Sequence, residues 1–150
     1  MDAIDLKILR ALKKDARLTH QELSEQVGLS PTPCARRIKK LEHDGVITGY
    51  TARIDEAKIG HPFSVFVSVR LDRQIDDRLN AFEAKVRQFP EVVDCWLMTG
   101  SFDYLLRLSV KDLKEFERFL TGRLTKLTGV ASLESSIPIR RVKDTSTRLD

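Results

Sequence analysis

Ile4, Ile8 and Leu12 recur at four-residue intervals, with Leu9 and Ala11 beside them. That spacing keeps apolar side chains on one helical face and predicts an amphipathic helix over 2–14. Thr19-His20-Gln21-Glu22 follows, an S/T-x-x-E capping box, which opens a short helix that buries Leu23 and Val27. Gly28 stops it, because glycine accepts the left-handed conformation past a helix end. Ser30 is placed to cap a third helix. Pro31 at its first position and Pro33 at its third cost nothing, since those N–H groups lack intrahelical partners. Gly45 closes this helix. Around its axis, Cys34, Ile38 and Leu41 share one stripe. Thr32, Arg36, Lys39, Lys40 and His43 fall on the opposite face, and Arg37 lies on the flank. Val46 to Ile54 then alternates loosely and reads as a small β-ribbon, or wing. It leads into a linker that ends near Gly60-His61-Pro62.

The pattern changes at Phe63. Phe63, Val65, Val67, Val69 and Leu71 alternate with Ser64, Phe66, Ser68 and Arg70, which predicts a half-buried strand with Phe66 as the apolar exception on its outer face. Leu79, Phe82, Val86 and Phe89 mark a helix. Val92–Thr99 and Tyr104–Val110 read as two strands of a hairpin joined by Gly100-Ser101-Phe102-Asp103. Leu113, Phe116, Leu120 and Leu124 mark a second helix, and Val130–Val142 a final strand. Asp76, Asp77 and Asp112 precede helical patterns and read as caps and dipole partners. The order is βαββαβ, a ferredoxin-like sandwich. The expected class is α+β: a winged helix-turn-helix with linker over 1–60, a ferredoxin-like domain over 61–143, and a flexible tail over 144–150.

Composition narrows the function. With 150 residues, 41% apolar and 32% charged, the chain is expected to be globular and soluble. No run is long and apolar enough to cross a bilayer. The first residues lack the basic and apolar regions of a secretory signal. Two cysteines are too few for a disulfide scaffold, and cytoplasmic residence is expected. Cys34 and Cys95 both read as buried. The net charge of +4 is modest, but no acid lies between Glu25 and Glu42, and that gap holds Arg36, Arg37, Lys39 and Lys40. A capped helix, a glycine turn and a helix with one apolar stripe and one cationic face make a DNA-reading pattern. Cations there displace counterions from phosphates, and arginine can bond guanine in the major groove. The plainer alternative is a solvated charged face. His20, His43 and His61 lack metal-ligand spacing. There is no nucleophile elbow, phosphate-binding loop or dinucleotide fingerprint, so neither a cofactor nor an enzyme activity is expected.

Several segments together resemble the Lrp/AsnC (leucine-responsive/asparagine-responsive, feast/famine) family of transcription regulators. They are Gly28-Leu29-Ser30-Pro31-Thr32-Pro33-Cys34, Arg36-Arg37-Ile38, Leu41-Glu42 and Gly45-Val46-Ile47-Thr48-Gly49-Tyr50. Met98-Thr99-Gly100-Ser101-Phe102-Asp103-Tyr104-Leu105-Leu106 adds the family's glycine-aspartate turn, and the likeness runs over about 2–143. The resemblance implies dimers that assemble into octamers or other disks, paired N-terminal domains on semi-palindromic double-stranded DNA, and C-terminal domains that sense amino acids. It implies a cytoplasmic, nucleoid-associated protein.

Carried over by position, Ser30 and Thr32 meet DNA at the start of the recognition helix, and Arg36, Arg37, Lys39 and Lys40 supply base and phosphate contacts. The effector is expected between dimers at Met98, Thr99, Gly100, Ser101, Phe102, Asp103 and Tyr104, with Glu134, Ser135 and Ser136 on the last strand. A glycine turn exposes N–H donors for a carboxylate. Asp103 is the nearest partner for an ammonium, or else a brace of the turn. Phe102 and Tyr104 also fit packing against a neighbouring subunit, and Trp96 and Met98 read as core or interface. Two functions remain open: an amino-acid-responsive regulator, and an architectural DNA-binding protein without a metabolite effector.

Overall fold

The computed structural model describes residues 1–143 and 148–149. The chain divides into two compact units, 1–53 with 143–150, and 54–142. In the first, helices α1 (Ala3–Lys14), α2 (His20–Val27) and α3 (Pro31–His43) enclose a core of Ile8, Leu23, Val27, Cys34, Ile38 and Leu41. Local chemistry sets each boundary. Asp2 and Asp5 form a capping box on α1, and Thr19 and Glu22 form the expected one on α2. Gly28 ends α2 with φ +75°, a conformation that glycine adopts without steric cost. The amide of Val46 reaches back to the Leu41 carbonyl across Gly45 at φ +70°, which seals the end of α3.

Ser30 holds the cap position of α3, but its side chain caps nothing. The third helical residue is Pro33, so the N–H that such a cap most often engages is missing. The β-ribbon expected over 46–54 does not form: those residues join no strand. Val46 and Ile47 both donate to the Leu41 carbonyl, and Tyr50 Oη donates to Glu42 at 2.8 Å. The segment is therefore tied to α3 rather than to a partner strand. Burial and Glu42 push the Tyr50 hydroxyl up to about 12. The expected flexible tail lies mostly outside the described residues. At Leu149, the carbonyl accepts two bonds from the Arg10 guanidinium, at 3.1 and 2.9 Å.

The second unit begins at Ile54 rather than after residue 60. Arg107 explains the shift: its guanidinium makes a two-bond clamp on Glu56, each bond 3.0 Å, which joins the former linker to the sheet. The sheet order is β2-β3-β1-β4, all neighbours antiparallel, with β1 Phe63–Leu71, β2 Val92–Leu97, β3 Tyr104–Val110 and β4 Val130–Ser136. Helices α4 (Asp76–Val86) and α5 (Leu113–Gly122) supply Phe82, Val86, Phe116 and Phe119 to one core with Val65, Val67, Val69, Leu106 and Leu108. The opposite sheet face carries Phe66, Leu105, Arg107 and Trp96, with no helix of this core over it.

Several details depart from expectation. β4 stops at Ser136 instead of Val142, because Pro138 has no N–H for the ladder and restricts Ile137 before it. Leu113 is exposed at the start of α5, whose stripe runs instead through Phe116 and Phe119. Leu124 is buried from a separate single turn, Leu124–Lys126. Asp112 caps α5 as expected, but Asp76 and Asp77 sit in the first turn of α4 behind an Ile75 cap. Cys95 is exposed, since β2 is an edge strand, whereas Cys34 is buried.

Two outcomes test this packing. Leu106 is fully buried on a central strand, so Leu106→Ala should cost roughly 2–5 kcal/mol. Urea unfolding followed at Trp96, the single tryptophan, reads it, and an unchanged midpoint would remove Leu106 from the core. The second concerns pH. The bond from Arg107, foremost, holds the Glu56 carboxyl below its ordinary value. The clamp's contribution is therefore full above the ordinary glutamate range and is lost as pH falls through the lowered value. Amide protection factors at Lys58 and Gly60, whose N–H groups bond Asp55 and Ala57, should fall on acidification from about pH 5 to about pH 3. In Glu56→Gln they should be low at both.

Candidate functional site

The turn between α2 and α3 is three residues long, 28–30, and the Cys34–Ile38–Leu41 stripe packs on Ile8, Leu23 and Val27. That packing turns the opposite side of α3 to water. Ser30, Thr32, Arg36, Lys39 and Lys40 are all exposed there. Arg36 and Lys39 make no hydrogen bond or ion pair among the described residues. Lys40 holds Asp44 at 2.6 Å, four residues on, which raises the lysine's pKa and lowers the aspartate's. Lys40 is thus partly neutralised by a residue of its own helix end.

Arg37 departs from the expected set. Its Nη1 donates to Asp5 at 2.8 Å and to Asp2 at 2.7 Å. These bonds raise the guanidinium's already high pKa, and the Asp2 carboxyl is lowered by its capping bond to the Asp5 amide first and by Arg37 second. The same two carboxylates build the capping box of α1. Arg37 therefore ties α3 to the start of α1 and is not among the free cations of the exposed face. Its flanking position on the helical wheel was the one sign of this in the sequence.

The ten residues expected at an effector site do not converge within one copy of the chain. Met98, Thr99, Gly100 and Ser101 form an exposed turn, with Gly100 at φ +111° and open space where a side chain would be. Phe102 is half-buried. Asp103 is 4% exposed. Its carboxylate accepts from the Leu71 amide at 2.7 Å and from the Gln74 side chain, and its own N–H donates to the Val69 carbonyl. It braces the turn against the end of β1, one of the two roles read for it, with its carboxylate turned inward. Tyr104 is 1% exposed, stacks on Phe82 with centroids 4.6 Å apart and donates to Glu83 at 2.9 Å. It is a core residue. Burial, then Glu83, pushes its hydroxyl pKa upward. Glu134, Ser135 and Ser136 are exposed on β4, opposite Ser68, Val67 and Phe66. β1 lies between them and β3, so they stand about two strand spacings, ~10 Å, from that strand.

A cleft of about 320 Å³ opens between the end of α4 and β2. Of the ten expected residues only Tyr104 lines it. Glu83, Arg87, Cys95 and Leu97 also line it, and the sequence pattern singled out none of these as ligand-facing. Periodicity reports which side chains face a core, not where two elements leave a gap. Among the described residues no group of histidine, cysteine, aspartate or glutamate could hold a metal ion, and no helix is long and apolar enough to cross a membrane.

Comparison with known proteins agrees with both units. A winged helix-turn-helix DNA-binding family matches residues 1–48, and the Lrp/AsnC ligand-binding domain family matches 64–148. The Bkd operon transcriptional regulator of Pseudomonas aeruginosa is 47% identical over 142 residues, covering 95% of this chain and 93% of that protein. The leucine-responsive regulatory protein of Escherichia coli K12 is 38% identical, covering 97% and 89%. A transcriptional regulator of Neisseria meningitidis, solved as its L-methionine complex, superimposes with a TM-score of 0.92 at 38% identity, covering 97% and 94%. Sequence motifs, element order and whole-length similarity converge, and the chain belongs to the Lrp/AsnC family of transcription regulators.

Proposed function

We propose that this protein is a cytoplasmic, sequence-specific DNA-binding regulator whose activity is set by a small amino acid bound between dimers of the second unit. The observation that carries the DNA half is the uncompensated face of α3, where Arg36 and Lys39 stand free beside the hydroxyl of Thr32. Ser30 supports it: its Oγ, unused as a cap, is available to a phosphate at the helix start. In this reading Arg36 reads a base edge, Lys39 and Lys40 bind phosphate, and Arg37 holds α3 in place. A second copy of the chain provides the symmetry that a semi-palindromic operator requires. The sheet face with Phe66, Leu105 and Trp96 offers that copy an apolar surface, and dimers then assemble toward an octamer or similar disk.

The amino-acid half draws on the L-methionine complex of the Neisseria relative and on the separation of the expected site. Turn 98–103 and β4 residues 134–136 are separated by β1 within a protomer, which favours a site completed by another copy. The exposed glycine turn contributes N–H donors to the carboxylate. Because Asp103 is occupied inside the chain, the ammonium partner comes from Glu134 of another copy or from backbone carbonyls. A ligand at that interface acts through its differential affinity for two assemblies, which changes the spacing of the DNA-reading helices.

Titration of the protein onto DNA from upstream of its own coding sequence, at several salt concentrations, separates these roles. Arg36→Ala should lose roughly 1–3 kcal/mol and relax sequence preference. Lys39→Ala should weaken all sequences alike and lower the salt slope by about one. Arg37→Ala should weaken binding and lower the melting temperature with the salt slope unchanged. A lowered slope for Arg37→Ala, with none for Lys39→Ala, would mean that α3 presents a different face. Gly100→Trp, which places a side chain where φ is +111°, should remove the effect of amino acids on assembly while a single dimer still binds DNA. Sedimentation with and without amino acid checks it, and an unaltered response moves the effector away from this turn.

A further inference from the structure

At its C-terminal end the cationic face of α3 meets an acid. Asp44, at the cap of the helix, divides its carboxylate between two cationic residues. Lys40 Nζ donates to Oδ2 at 2.6 Å, and His43 Nδ1 donates to Oδ1 at 3.3 Å. An exposed lysine–aspartate pair four residues apart is commonly a minor helix-stabilising pair. This one has the less favourable orientation, with the cation on the N-terminal side, and its carboxylate stands at the negative end of the helix dipole. The fold therefore gains little from it. The neighbouring acids are engaged elsewhere. Asp2 and Asp5 hold Arg37 on the flank, and Glu42 accepts from Tyr50. Arg36 and Lys39 make no ion pair among the described residues. Asp44 is thus the acid set against this row of cations, and Lys40 is the cation it holds.

We propose that Asp44 is a specificity-determining residue for DNA binding: its carboxylate competes with DNA phosphate for Lys40 and so holds down binding to DNA of unrelated sequence. A carboxylate and a phosphate are acceptors of the same kind for an ammonium group. On unrelated DNA, where α3 meets backbone alone, Lys40 exchanges one anion for another and gains little. Non-specific affinity, which counterion release dominates, then rests on Arg36 and Lys39. On a matching sequence, base contacts fix α3 in register and hold a phosphate against Lys40, and the lysine changes partner. His43 keeps the released carboxylate bonded, which lowers the cost of that exchange. This inference rests on the DNA-reading face proposed above and adds what limits it.

Titration of the full-length protein onto two duplexes of equal length tests this, one its own upstream DNA and one the same bases in scrambled order. Asp44→Asn removes the charge and keeps the size. At low salt it should tighten binding to the scrambled duplex roughly two- to fivefold, and it should steepen the salt slope on that duplex by about one. Binding to the upstream duplex should tighten less, so the preference for it falls. Lys40→Gln should leave the wild-type slope on the scrambled duplex almost unchanged, yet lower the slope of Asp44→Asn by about one, which places the effect in the pair. Glu117→Gln, at an exposed acid of α5 in the second unit, changes the net charge equally and should alter binding to neither duplex. Melting temperatures of the variants should match that of the wild type, since the pair adds little to the fold. An unchanged slope in Asp44→Asn, a gain no larger than that of Glu117→Gln, or a gain that survives Lys40→Gln overturns the proposal. An equal gain on both duplexes overturns the specificity role. If the wild type binds both duplexes alike, the sequence-reading function fails and the specificity role with it, and the slopes on the scrambled duplex alone then support or overturn the competition for Lys40.

Discussion

Burial of Cys34, Ile38 and Leu41 against Ile8, Leu23 and Val27 is the constraint from which the rest of the first unit follows. A helix of thirteen residues with one apolar stripe has one stable orientation on a small core, so its other face is assigned by elimination. Arg36 and Lys39 on that face make no ion pair among the described residues, whereas Lys40 is held by Asp44. Caps and ion pairs then remove the remaining freedom. Arg37 joins α3 to the capping box of α1, so local order at one helix start and the placement of another helix share the same two carboxylates.

The second unit applies the same division to a sheet. Alternation along β1 and β3 sends valines and leucines to the helices and leaves the other face open. Asp103 belongs to this economy. By bonding the Leu71 amide, the Gln74 side chain and the Val69 carbonyl, it holds the hairpin turn to the end of β1. The exposed glycine of that turn is therefore displayed from a fixed base. The exposed residues of the turn and the residue that holds them in place are different, though they are neighbours in sequence.

Much of this was legible in the chain. The Thr19 capping box, Gly28, the α3 stripe and the period-two alternation of β1 are local signals, and each specified its element nearly to the residue. What escaped depends on distant partners. Nothing near Arg37 announces Asp2 and Asp5, more than thirty positions away, so a flanking arginine read as a DNA contact. Asp103 read equally as brace or ligand until its partners on β1 were known. The ribbon over 46–54 has the alternation but no second strand to pair with, and β4 ends short of Val142 because Pro138 breaks the ladder that the apolar residues after it suggest. Glu83 and Arg87 sit on the polar side of a helical pattern, where sequence gives no sign that β2 leaves a cleft alongside.

The central claim is that one molecule couples DNA reading to an amino acid. The most direct measurement is a gel shift of the purified wild-type protein on its own upstream DNA, alone and with each of the twenty amino acids. The account predicts a sequence-specific shift whose affinity or stoichiometry changes with one amino acid or a chemically related few. A specific shift indifferent to all twenty would contradict the coupling and leave a DNA-binding protein of architectural kind.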